Sequence, residues 1–238
     1  MDTQRIFNDE SEHQNTVELI GFYGGDREHA CSAWTSTSRE LTPEKEARIP
    51  ALLKMLAENN HHTPFEKSAL HFLVKSDIAT HIHLLKHRIG VSINAESARY
   101  KELKEDKLFI PDDWPDDEIQ IYLEHMEKTY EKYHNSLIRL TEHYIRVKGM
   151  KKSEARKRAK ESSRFYLPYG NQILCDMQFN FRSFSHFIGL RYSTHAQREV
   201  CELAKLMLKA VQNTKEFDLT LRAFGFVGDN GSLIEPFV

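Results

Sequence analysis

Apolar positions along this chain recur at two different spacings, and the changes of spacing mark out its elements. Thr16–Tyr23 (TVELIGFY) is rich in β-formers and is closed by Gly24 and Gly25, which predicts a strand. Residues 67–75 alternate around Leu70, Phe72 and Val74 and predict a second strand, and residues 173–179 predict a third. Helical spacing takes over elsewhere. Residues 27–39 read as helical. Thr42, Pro43 and Glu44 open a helix whose Ile49, Leu52, Leu53 and Leu56 share one face, and Asn59-Asn60 ends it. Asp77 is placed to cap a helix over 78–88.

A long helix is expected over 118–148 and a charged one over 153–163 with Ser153 as its cap. Two more are expected over 181–190 and over 195–211, the second turning Val200, Leu203, Met207 and Val211 inward. Residues 1–15 are polar, 89–100 lack a clean period and read as an ordered loop, and 111–117 (PDDWPDD) form an acidic connector. No repeat or linker divides the chain, so one domain spans 1–238, with a mixed or antiparallel sheet flanked by helices, an α+β fold.

Composition narrows the class. The 238 residues are 40% hydrophobic and 29% charged with a formal charge of -2, which suits a soluble globular protein and gives no bulk attraction to nucleic acid. Cys31, Cys175 and Cys201 are odd in number and lack a CxxC spacing, so a reducing compartment is expected. The polar start has no apolar h-region, and no apolar run is long enough for a membrane span. These readings point to the cytoplasm.

Four segments concentrate groups that can do chemistry. His87–Tyr100 (HRIGVSINAESARY) offers His87, Arg88, Glu96, Ser97 and Arg99, donors suited to a phosphate and a base edge. A solvated polar loop has the same composition. Asn180–Gln197 places Arg182, His186 and Leu190 on one helix face with Arg191 beside it, costly to bury without an anionic or planar partner. A half-exposed helix with a snorkelling arginine is the plain alternative. His61–Glu66 (HHTPFE) restrains Thr63 through Pro64 and presents Thr63 and Glu66 at a strand start. Arg164, in SRFYLP, sits at a basic helix end. Neither GxGxxG nor GxxxxGK[ST] occurs, and no zinc-ligand pattern is present.

In order and spacing, these segments resemble the flavin-dependent thymidylate synthases, the ThyX family. The family's Arg-His-Arg, seven residues, Ser signature appears as Lys86-His87-Arg88 followed by Ser97-Ala98-Arg99-Tyr100. Its H-x-[ST]-P-F-E matches His61 to Glu66. Its R-x-x-L-P matches Arg164 with Leu167-Pro168. Its N-x-R and L-R-x-x-x-H-A-Q match Asn180, Arg182 and the run from Leu190 through Arg191 to His195-Ala196-Gln197. The chain departs from the pattern at Lys86, at Ala95, at His83 and at His186. Eight residues instead of seven separate Arg88 from Ser97.

The resemblance implies a methyltransferase that converts dUMP to dTMP with FAD, 5,10-methylenetetrahydrofolate and NADPH, working as a homotetramer with active sites at subunit interfaces. It implies that His61, Thr63, Glu66, Lys86, His87, Arg88, Asn180, Arg182, His186, Leu190 and His195 face FAD. It implies that His83, Lys86, Glu96, Ser97, Ala98, Arg99, Arg164 and Arg191 face dUMP, with Arg191 catalytic. None of the cysteines falls in the nucleotide loop, and Ser97 is expected to bind substrate and not to attack it. A nucleic-acid-binding module, on the strength of the basic run 148–160, and a related flavoprotein acting on another pyrimidine nucleotide are the competing readings.

Overall fold

In the computed structural model, which describes residues 13–97, 99, 101–102 and 107–238, the strands are β1 (Thr16–Tyr23), β2 (Ala69–Asp77), β3 (Val91–Ala95) and β4 (Gln172–Phe179). They form an antiparallel four-stranded sheet in the order β1-β2-β4-β3. The helices are α1 (Asp26–Trp34), α2 (Pro43–Glu58), α3 (Ile78–Leu84), α4 (Asp116–Arg146), α5 (Lys152–Ser163), α6 (Phe181–Arg191), α7 (Arg198–Asn213) and α8 (Asp218–Ala223). The α+β expectation therefore holds.

Two compact units make up the chain, each gathered from separate stretches: Thr16–Val74, Ile82–Asn94 and Cys175–Val238 in one, and residues 13–15, Lys75–His81 and Ala95–Leu174 in the other. In the first, period-two burial builds one face of the sheet. Leu70, Phe72 and Val74 of β2 and Cys175, Met177 and Phe179 of β4 are fully buried. Helix α6 lies on that face: Phe184 stacks on Phe72 at 5.7 Å between ring centroids and meets Phe179 edge-on at 5.9 Å. The Cys175 thiol is pushed up to about 12 by burial and then by Asp176.

A second aromatic group surrounds His29 of α1, whose ring lies 5.2 to 5.8 Å from those of Phe65, Phe181 and Phe217. His29 Nδ1 meets Thr220 Oγ1 at 3.1 Å and Nε2 meets Ser68 Oγ at 2.9 Å. Asp26 caps α8, accepting from Leu219 N at 2.8 Å and Thr220 N at 2.7 Å. Thus a helix of six residues is held by a carboxylate nearly two hundred positions earlier.

Burial holds the His29 pKa down at about 4. Above pH 6.5 the residue is neutral folded or unfolded. Between about 6.5 and 4 only the unfolded chain takes up the proton, so stability falls as pH drops through that window, by roughly 3 kcal/mol at its foot. The denaturation midpoint should therefore decline from pH 7 to pH 4.5, and His29→Gln should flatten the decline. An unaltered slope in that variant would assign the effect to other groups.

In the other unit, α4 and α5 pack along one another, and Leu108, Ile110, Leu123, Met126 and Tyr130 form the core. Tyr130 Oη shares its single proton between Lys107 O at 3.0 Å and Asn171 Oδ1 at 3.2 Å. Asp77 caps α3 as expected, accepting from Thr80 N at 2.8 Å.

Several expectations are corrected. Residues 91–95 form a strand and not a loop. Helix α1 stops at Trp34 because Thr35, Ser36 and Thr37 turn their hydroxyls onto the carbonyls of Cys31, Ala33 and Trp34. Ser153 lies inside α5, whose N-cap is Lys151, so it is not the cap. Thr63–Glu66 is a 3-10 turn around buried Phe65 and not a strand start. Among the described residues no helix is long and apolar enough to cross a membrane.

Candidate active site

The site begins with α6. Its sequence gives Phe181, Phe184, Phe187 and Ile188 to the interior, so Arg182, His186, Gly189 and Leu190 face outward. Asn180 fixes the start, accepting from Ser183 N at 2.8 Å through Oδ1. Its own N–H donates to Gly90 O at 3.3 Å, which brings the turn after His87 alongside the helix.

Between them lies a cleft of about 720 Å³. Arg182, His186, Gly189 and Leu190 line one wall, His62, Glu66 and Phe224 another, and Ile89 with Gly90 a third. Arg182 is ion-paired with Glu66, both partly solvated. Solvent screening keeps such a pair weak, so an anionic ligand can compete for the guanidinium. Ile89 is 91% exposed, and Leu190 and Phe224 add further apolar surface. Gly90 has φ +67°, and a Cβ there would run into the side chains of Ser183 and Asn180.

At the far end of α6, Arg191 is half-buried, and its Nε donates to His87 Nε2 at 2.9 Å. His87 is 9% exposed, with its ring edge-on to Phe187 at 4.9 Å. Burial, then the charges of Arg191 and His186, hold its pKa below the ordinary imidazole value. The two terminal amino groups of Arg191 have no partner among the described residues.

In the other unit, Glu96 accepts from Leu174 N at 3.0 Å and from Lys101 Nζ at 2.6 Å. Burial alone raises the Glu96 pKa, but these two partners, with the Lys107 charge, outweigh it and the net shift is downward. Ser97 Oγ accepts from Arg99 N at 3.3 Å, a turn-forming role, and among the described residues no base is hydrogen-bonded to the hydroxyl. Arg99 pairs with Glu161 at 3.4 Å. Arg164 is exposed and lies 5.9 Å from the centroid of the Phe165 ring.

Of the residues expected at a flavin, Glu66, Asn180, Arg182, His186 and Leu190 line the cleft together. His87 is buried against Arg191 and does not line the cleft. His61, Thr63, Lys86, Arg88 and His195 belong to the same unit but do not line the cleft, and His83 is half-buried in that unit. In the second unit stand Glu96, Ser97, Arg99 and Arg164. Ala98 lies outside the described residues. Sequence reasoning missed His62, Ile89, Gly90, Gly189 and Phe224. The glycine between two apolar residues and a polar loop was the one available signal for Gly90. Phe224 follows a helix whose cap is remote in sequence.

Residues 18–214 match the family model described as thymidylate synthase complementing protein. The chain is 29% identical to the flavin-dependent thymidylate synthase of Kosmotoga olearia, covering 92% of this chain and 94% of that one. It is 31% identical to that of Clostridium tetani, covering 74% and 70%. It is also similar to the crystal structure of the UMP/dUMP methylase PolB from Streptomyces cacaoi bound with 5-Br dUMP, with a TM-score of 0.69 and 27% identity over 89% of this chain and 94% of that one.

Proposed function

Because this chain belongs to the thymidylate synthase complementing protein family, we propose that it is a flavin-dependent thymidylate synthase that methylates carbon 5 of dUMP to give dTMP. In this reading 5,10-methylenetetrahydrofolate donates the carbon and NADPH is the reductant. Bound FAD supplies the hydride chemistry that no side chain offers. The cleft suits such a group: its volume falls in the usual range for ligand pockets, about 300–1,000 Å³, and it sets the Arg182 cation beside apolar Ile89 and Leu190. Glu66, Asn180, Arg182, His186 and Leu190 would hold it, with His61, Thr63, Lys86, His87, Arg88 and His195 completing the contact set.

The observation that carries the reaction is Arg191, tethered through Nε with its terminal fork unengaged among the described residues. A fixed cation at a pyrimidine edge stabilises negative charge developing on the ring and makes carbon 5 a better nucleophile. Arg99 and Arg164 neutralise the nucleotide phosphate, and His83, Lys86, Glu96, Ser97 and Ala98 complete the substrate contacts. The whole chain works as one synthase domain in a cytoplasmic homotetramer, whose partner subunits would cover Ile89 and the 82% exposed Phe165.

The likeness to a UMP/dUMP methylase favours one second reading, in which the ribonucleotide UMP is accepted as well. An anaerobic assay with methylene folate and NADPH, following tritium release from carbon 5 of dUMP and of UMP, tests both. Yellow protein and release from dUMP are expected. A colourless protein that binds oligonucleotides in a salt-sensitive way would overturn the proposal in favour of a nucleic-acid-binding module.

A further inference from the structure

The contact between Arg191 and His87 specifies a proton position. A guanidinium keeps all its protons at any pH a protein survives, so Arg191 Nε is a donor. The imidazole nitrogen that meets it at 2.9 Å must then be the bare one. His87 is therefore the tautomer with its proton on Nδ1. An imidazolium would set donor against donor and cation against cation.

The surroundings enforce the neutral form. The ring is buried against the edge of Phe187, and among the described residues the charged and titratable groups that act on it are Arg191 and His186, both on α6. Holding the guanidinium by Nε also fixes its plane. With that edge occupied, the remaining freedom of Arg191 is small and the two terminal amino groups point one way as a fork.

We propose that His87 is the positioning residue for Arg191: as the neutral Nδ1–H tautomer it clamps the Nε edge and sets the direction in which the guanidinium fork meets the substrate's pyrimidine. This rests on the reading of Arg191 as the pyrimidine-facing cation. It gives the histidine of the Lys86-His87-Arg88 run a task apart from any flavin contact. An asparagine or glutamine in its place retains an acceptor, whereas an aliphatic residue leaves the Nε donor without a partner.

The test uses the full-chain flavoprotein. Long-range ¹⁵N–¹H spectra of the imidazoles should show His87 Nε2 unprotonated from roughly pH 6 to 9, a range in which a free histidine changes state. Addition of dUMP should shift the Arg191 Nε–H resonance. His87→Leu should lower kcat/KM for dUMP by between about tenfold and a hundredfold, as expected for loss of one hydrogen bond to a charged group. His87→Gln should recover most of that loss. A proton on Nε2 in the unmodified protein would overturn the proposal, as would full kcat/KM in His87→Leu. Should His87→Leu lose flavin or fail to fold, the tautomer spectrum decides alone. A wild-type protein with no dUMP turnover would instead sink the synthase reading while leaving the tautomer measurement intact.

Discussion

Arg191→Ala should lower turnover of dUMP by about 10²–10³-fold, the scale set by removing one preorganised charge-stabilising donor, while the purified protein keeps its flavin colour. The two halves of that result have separate causes. Arg191 does not line the cleft, so its removal leaves Glu66, Arg182, His186 and Leu190 in place. What goes is the cation whose Nε is fastened to His87 at 2.9 Å. Loss of a side chain from the end of α6 also frees a buried acceptor on His87, so a modest drop in stability accompanies the loss of activity. Flavin absorbance and steady-state kinetics on the same preparation check the prediction. Full activity in the variant would remove Arg191 from the reaction.

The second large effect is expected at Gly90. Its φ of +67° is a conformation that costs an L-residue roughly 1–2 kcal/mol. A methyl group there also strikes the Asn180 and Ser183 side chains, the pair that caps α6. Loss of that cap adds about 1 kcal/mol. Gly90→Ala should therefore lose about 2–3 kcal/mol of stability and release its flavin on gel filtration. Gly189 is the contrast. It lines the same cleft, lies inside α6, and a Cβ built there meets nothing within 4 Å. Gly189→Ala should gain up to about 1 kcal/mol from helix propensity. Equal urea midpoints for the two variants would contradict this account of the turn.

Much of the fold was written in local pattern. Alternation in β2 and helical spacing in α2 and α7 gave those elements directly, because each buries a single face and has its punctuation close by: Gly24-Gly25 after β1, Thr42-Pro43 before α2. What escaped was fixed from far away. Strand β3, VSINA, carries Ser92 and Asn94 on its exposed side and reads as loop until the sheet supplies its neighbour. Helix α8 is capped by Asp26. The site followed the same division. The Arg182, His186 and Leu190 face was legible as one stripe of a helix, whereas the hydrogen bond between His87 and Arg191 joins residues 104 positions apart and leaves no trace in either segment alone.

Cys175 gives the protein an internal clock. Its thiol, fully enclosed and held as the neutral acid up to about 12, is a poor target for alkylating reagents as long as the sheet remains shut. Cys31 and Cys201 sit nearer the surface and are reached first. Labelling in two phases should follow, and the slow phase would time the opening of the sheet against α6. The yellow chromophore and this one thiol would thus report, in a single tube, whether ligand loss precedes or follows the parting of the sheet.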